Sequence, residues 1–151
     1  MKDDFYLFLS STESSAAYRN NTFTDFIVEC PKLYELEANH DSYWQVALTD
    51  LIVFGVDSVS ADTKVVCILC DLVTQSHITA TQKPVLRILP KKSLVKSSLY
   101  LPYYFPLAKS TFRTIRIQLC DQDLSPLSAK SKEREEGSIF LTLHFQLVSK
   151  V

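Results

Sequence analysis

Ile139-Phe140-Leu141-Thr142-Leu143-His144-Phe145-Gln146-Leu147 is the stretch that decides the fold. Ile139, Leu141, Leu143, Phe145 and Leu147 fall on one side of a pleated strand; Phe140, Thr142, His144 and Gln146 fall on the other. The same period of two recurs toward the N-terminus. Phe112 to Cys120 sets Ile115, Ile117 and Leu119 against Thr114, Arg116 and Gln118. Within Tyr43 to Phe54, Trp44, Val46 and Leu48 share a face while Gln45 and Thr49 point away. Phe5 to Ser10, Phe23 to Cys30 and Pro84 to Leu89 read as further strands. Lys64 to Val73 is apolar on both faces, as a central strand covered on two sides would be. With no convincing helix, such a chain makes a sandwich or a barrel.

Prolines and polar runs mark the connections. Pro31 lacks the N–H that a ladder needs, which marks a strand end or an edge; it is expected to stop the second strand, with Leu33, Tyr34 and Leu36 continuing extended. Ser11–Thr22, Gly55–Thr63, Thr74–Lys83, Lys91–Ser98 and Asp121–Gly137 read as polar connections. Leu99 to Leu107 holds two prolines and is expected to be an edge strand or an extended arm. The expectation is therefore an all-β, eight-stranded antiparallel β-sandwich of two four-stranded sheets, one domain over residues 1–151. Strand order does not follow from the pattern. A jelly roll and an immunoglobulin-like sandwich both fit it.

Composition removes several function classes. The net charge is −1, so no bulk basic field attracts phosphate backbones, and nucleic acid is not an expected partner. The basic turn Lys91, Lys92, Lys96 reads as a solvated loop. Gly55 and Gly137 are the only glycines, which excludes a P-loop and a dinucleotide fingerprint. Phe5 to Leu9 is too short and too acidic in its flank for a signal peptide. No stretch approaches the roughly 20 apolar residues of a membrane span. A reducing compartment is expected, with the four cysteines as buried thiols and Asn20 of the Asn20-Asn21-Thr22 acceptor left unglycosylated.

No catalytic, metal or cofactor constellation emerges. Cys67-Ile68-Leu69-Cys70 has the spacing of a zinc knuckle, but its flanks are strand-like, and residues three apart on a strand face opposite sides. No second pair exists to complete four ligands. Cys30, Trp44 and Cys67 match an immunoglobulin Cys…Trp…Cys spacing only superficially. His40, His77 and His144 are far apart, and His144 is expected to be a half-exposed strand residue. The paired carboxylates Asp3-Asp4 and Glu135-Glu136 lie in polar segments, and no serine lies in a nucleophile elbow. The aromatic cluster is different. Tyr100, Tyr103, Tyr104 and Phe105 crowd between prolines, where they would either cover one end of the core or pack on a neighbouring subunit. Tyr18 and Arg19, in the first long loop, could join such a surface.

Four ordered passages carry a family resemblance: FYLFLSS with NNTFTDFIVECP; YWQVALTDL; CDLVTQSHITATQKPVLRILP; and YYFPLAKSTFRTIRIQLCDQDLSP closing with GSIFLTLHFQ. They resemble the single-jelly-roll penton or minor capsid proteins of Polinton/Maverick elements and of adintovirus- and adomavirus-like DNA viruses. Gly55 to Thr63 replaces a larger insertion of that family, which puts any function of the insertion in doubt. The resemblance implies a virion subunit without enzyme activity or cofactor, made in the host cell without a secretory signal. It would form homopentameric rings at capsid vertices and contact the major capsid protein. The alternative is a monomeric sandwich that recognises a glycan or a host protein through its loops. Candidate interface residues are Tyr18, Arg19, Tyr100, Tyr103, Tyr104 and Phe105.

Overall fold

The computed structural model describes residues 3–14, 17–54, 62–78, 80–94, 101–127 and 138–150. Ten strands form among the described residues: β1 (Asp4–Ser10), β2 (Asp25–Glu35), β3 (Ser42–Phe54), β4 (Val65–Cys70), β5 (Ser76–Ile78), β6 (Thr81–Lys83), β7 (Val85–Pro90), β8 (Phe105–Pro106), β9 (Thr111–Cys120) and β10 (Ser138–Ser149). A 3-10 turn spans Lys91–Leu94. No α-helix occurs among the described residues.

The pairing is nested. β1 pairs with β10, β2 with β9, β3 with β8 and β4 with β7, all antiparallel. β10 also pairs with β3, and β4 with β9, giving sheet orders β1-β10-β3-β8 and β2-β9-β4-β7. The eight strands of the two larger sheets thus behave as one long hairpin wound round on itself, with its tip at β4–β7. This is the single jelly roll, a two-sheet solution to the edge problem of all-β chains.

The expected faces are observed. Ile139, Leu141, Leu143 and Phe145 of β10 enter the core between the sheets, with Ile115, Ile117 and Leu119 of β9 from the other side. At one end four rings close a square. Phe5 stacks on Tyr34 (5.2 Å) and Phe145 (4.7 Å), and Phe112 meets Tyr34 (5.3 Å) and Phe145 (5.7 Å). Such ring pairs contribute about 0.5–1.5 kcal/mol each beyond the area they bury. β4 is apolar on both faces because a second, smaller cluster lies outside it. Cys67 and Leu69 pack there with Val85, Cys120, Val65, Ile78 and Leu124. Leu124 takes a left-handed backbone (φ 62°) in a turn held by Asp121, whose Oδ1 accepts from Asp123 N and Ser125 N. Burial of its side chain in that outer cluster offsets the backbone cost.

Two local expectations are corrected, and one irregularity is new. Pro31 does not stop β2, which runs on to Glu35. Its ladder with β9 is interrupted between Glu29 and Tyr34 instead, and β2 is an edge strand, where a residue without an N–H is tolerated. The polar run Thr74–Lys83 contains the hairpin β5–β6, its register pinned by Ser76↔Lys83 and Ile78↔Thr81. In β3 the register shifts so that Thr49 has no partner on β10. This bulge turns Leu51 back to the core after Leu48.

The loop after β1 closes the free edge of β2. Asn21 Oδ1 accepts from Ile27 N (3.0 Å) and Asn21 Nδ2 donates to Ile27 O (2.9 Å), so one amide side chain imitates a neighbouring strand. Ser14 Oγ accepts from Glu29 N two residues on. Capping an edge in this way blocks unwanted strand pairing.

Candidate functional site

The aromatic arm divides its side chains three ways. Phe105, opposite Val46, packs against the main core. Tyr104 turns to the outer face of the β1-β10-β3-β8 sheet, where its hydroxyl donates to His144 Nδ1 at 2.7 Å. Tyr103 stays exposed, with the Arg87 guanidinium 4.1 Å from its ring centre. Arg87 also donates from Nη1 to the Leu101 carbonyl at 2.6 Å, which braces the arm against β7. The arm therefore covers one side of the sandwich and also presents aromatic surface. The covering reading is met by Phe105, while Tyr103 is left on the surface.

Tyr104 reaches His144 across β3 because the intervening residue is small. Ala47 is the register partner of His144, is fully buried and has only a methyl group. On the far side Tyr6, opposite His144 on β1, stacks on the imidazole at 4.4 Å. Asp4 Oδ2 lies 3.0 Å from His144 Nε2. A carboxylate can only accept, so Nε2 donates to Asp4; in the neutral imidazole Nδ1 then accepts from Tyr104. The network ties β1, β10 and the arm together. His144, expected to be half-exposed, is only 7% exposed. The correction arises because Tyr6 and Tyr104 cover it from two sides, a juxtaposition that periodicity does not encode.

An Asp–His–Tyr row has the order of a nucleophile with its base and orienter. Here each member is used by the next, and neither His144 nor Tyr104 lines the neighbouring recess. Nearby, Phe5, Tyr34, Leu36 and Trp44 line a recess of about 500 Å³ with Glu35 and Glu37 at its rim. Its ring faces are already engaged: Tyr34 lies against Phe5 and Phe112, Lys32 sits 5.0 Å from the Tyr34 ring, and Trp44 Nε1 donates to Glu37 O. The faces of Phe5 and Tyr34 are thus engaged by neighbouring rings.

The remaining expected positions are dispersed. Tyr18 is half-buried and Arg19 exposed in the loop that caps β2, with no contact to the arm among the described hydrogen bonds. Tyr100 and Lys96 lie outside the described residues. Lys92 is exposed, as a solvated turn predicts. His40 sits beside Asp41, and His77 beside Gln82. Cys67 and Cys70 face opposite sides, one in the outer cluster and one in the main core, and all four cysteines are free. That separation removes Cys30 and Cys67 as an immunoglobulin-type pair. Burial pushes the Cys70 thiol up to about 12 and, with the nearby carboxylates of Asp71, Glu13 and Glu29, the Cys30 thiol to about 11. Burial also raises Cys67 and Cys120. These are poor nucleophiles.

Sequence reasoning missed the outer-face aromatics. Tyr6, Phe8, Ile52, Phe54 and Phe140 are exposed large apolar side chains on one sheet face. The signal was present in the alternation, which set Phe140 on the polar side of β10. No helix among the described residues is long and apolar enough to cross a membrane.

No family model matches the chain, and no curated protein matches it in sequence. Among solved structures it is similar to the crystal structure of the mavirus penton protein. The likeness covers 97% of this chain and 100% of that one, with a TM-score of 0.52 at 8% sequence identity. What is shared at that identity is the fold: this chain is a β-sandwich with a penton-like jelly roll.

Proposed function

We propose that this chain is a structural, non-enzymatic subunit of a viral capsid, a penton-like vertex protein. It self-associates into closed rings, with a homopentamer as the expected state, contacts the major capsid protein and resides in the virion. The observation that carries this reading is the penton-like jelly roll over nearly the whole chain. A sandwich in which the rings of Phe5 and Tyr34, beside the recess described above, are already stacked offers surface there rather than a cleft. Within that role the arm residues Tyr103 and Tyr104, and the loop residues Tyr18 and Arg19, are candidate contributors to contacts between subunits. Phe105 contributes indirectly by anchoring the arm in the core.

The test is electron microscopy and light scattering of the purified protein, alone and with the major capsid protein of the same source. Rings, or co-assembly with capsid, are expected. A strict monomer at high concentration that also ignores capsid would overturn the reading.

A further inference from the structure

Tyr6, Phe8, Ile52, Phe54 and Phe140 are 52%, 75%, 47%, 56% and 44% exposed. The strand register makes them one patch. Phe140 lies opposite Ser10 on β1 and Ile52 on β3; Phe8 lies opposite Thr142, the next outward residue along β10; Tyr6 follows opposite His144. The rings of Phe54 and Phe140 meet edge-on at 6.0 Å. Taking about 200 Å² for a fully exposed large side chain, the patch leaves on the order of 500 Å² in water. That is near the upper end for a soluble monomer, where such patches mark contacts. The patch continues to the outer edge of β1, with which no strand pairs among the described residues. The chain caps β2 with its own Asn21 and leaves the aromatic edge beside it open.

A second apolar group lies at the edge of the sheet opposite Tyr6 and Phe8, beyond the β3 strand that carries Ile52 and Phe54. β8 ends the sheet that β1 begins, roughly 14 Å away at normal strand spacing. There the arm presents Leu101, 79% exposed, and Tyr103, 60% exposed, on the order of 300 Å² together. Arg87 holds this group in place through the Leu101 carbonyl and the Tyr103 ring, so little ordering entropy is lost on contact.

We infer that the Leu101–Tyr103 arm of one copy seats on the Tyr6–Phe8–Ile52–Phe54–Phe140 face of the next. Two different patches on opposite flanks make a heterologous contact, the type that closes rings. The areas agree with this. About 800 Å² of apolar surface, at the usual share of roughly 57% non-polar area, corresponds to an interface of about 1,400 Å². That is the size of a specific, stable contact. The inference rests on the assembly reading above and assigns it its two surfaces.

Sedimentation velocity on three proteins tests it: wild type, Phe8→Asp/Phe54→Asp, and Leu101→Asp. All substituted side chains are exposed, so native near-UV circular dichroism is expected; Phe8→Ser replaces the double variant if that spectrum is lost. The wild type forms rings, alone or with the major capsid protein, and each variant alone sediments as a 17.2 kDa monomer. Mixed in equal amounts, the two variants form a species of twice 17.2 kDa and nothing larger, because one intact copy of each flank remains. Rings that persist in either variant overturn this contact and leave the assembly reading standing. A mixture that stays monomeric overturns the pairing of these two flanks. A wild type that never assembles overturns the assembly reading itself.

Discussion

Tyr104→Phe removes one oxygen and tests whether the outer-face network is structural. His144 is 7% exposed, and its Nδ1 accepts from the Tyr104 hydroxyl at 2.7 Å. Phenylalanine keeps the ring and leaves that nitrogen buried without a donor. Such a loss costs about 1–3 kcal/mol. For a chain of this size that corresponds to a fall in Tm of roughly 2–4 °C per kcal/mol. Asp4→Asn touches the other ring nitrogen, but the Asp4 side chain is 54% exposed, so water replaces what is lost and the cost stays below about 1 kcal/mol. Urea unfolding of both variants reads the difference directly. A cycle sharpens it. Ala47→Leu fills the gap through which Tyr104 reaches His144, so in that background Tyr104→Phe should cost almost nothing, a coupling of about 1–2 kcal/mol. A Tyr104→Phe cost no larger than that of Asp4→Asn, or full additivity with Ala47→Leu, would refute the staple.

Three further outcomes are expected. Asn21→Ala strips two hydrogen bonds from Ile27 and reopens the edge of β2; it should lower stability by about 1–2 kcal/mol in urea titration and raise aggregation seen by light scattering, whereas unchanged stability and solubility would contradict the capping role. Phe145→Ala removes a fully buried ring from the aromatic square and should cost about 3–5 kcal/mol; a cost under about 1 kcal/mol would mean the square is not packed as described. Buried thiols make the fold alkali-sensitive: Cys70 and Cys30 are held near 12 and 11 against 9.0 in the open chain, so the folded state keeps its protons longer. Their stabilising effect is complete below pH 9.0 and falls as pH rises toward the folded values, by up to about 1.4 kcal/mol per pH unit per thiol. Denaturant midpoints from pH 8 to 11 check this, and Cys70→Ala should flatten the alkaline limb.

The period of two was enough to read the layers. It assigned the inward faces of β9 and β10, the double-sided burial of β4, and the separation of Cys67 from Cys70, since each depends only on alternation along one strand. It also placed the aromatic Phe140 on the outward side of β10, though the bulge in β3 was not read from it. Pro31 marked an edge rather than an end of β2, because whether a missing N–H matters depends on which side of the strand a neighbour lies.

The order of the strands belongs to the tertiary structure alone. β1 with β10 and β2 with β9 are partners far apart along the chain, and no local pattern names the partner of a strand. The same holds for the candidate surfaces. Tyr104 meets His144 only because Ala47 stands between them, and Leu101 and Phe8 come to opposite flanks only because β8 and β1 end the same sheet. Alternation is a property of neighbouring residues and is written in the chain; adjacency across a sheet is a property of the closed ladder and exists only once the chain has folded.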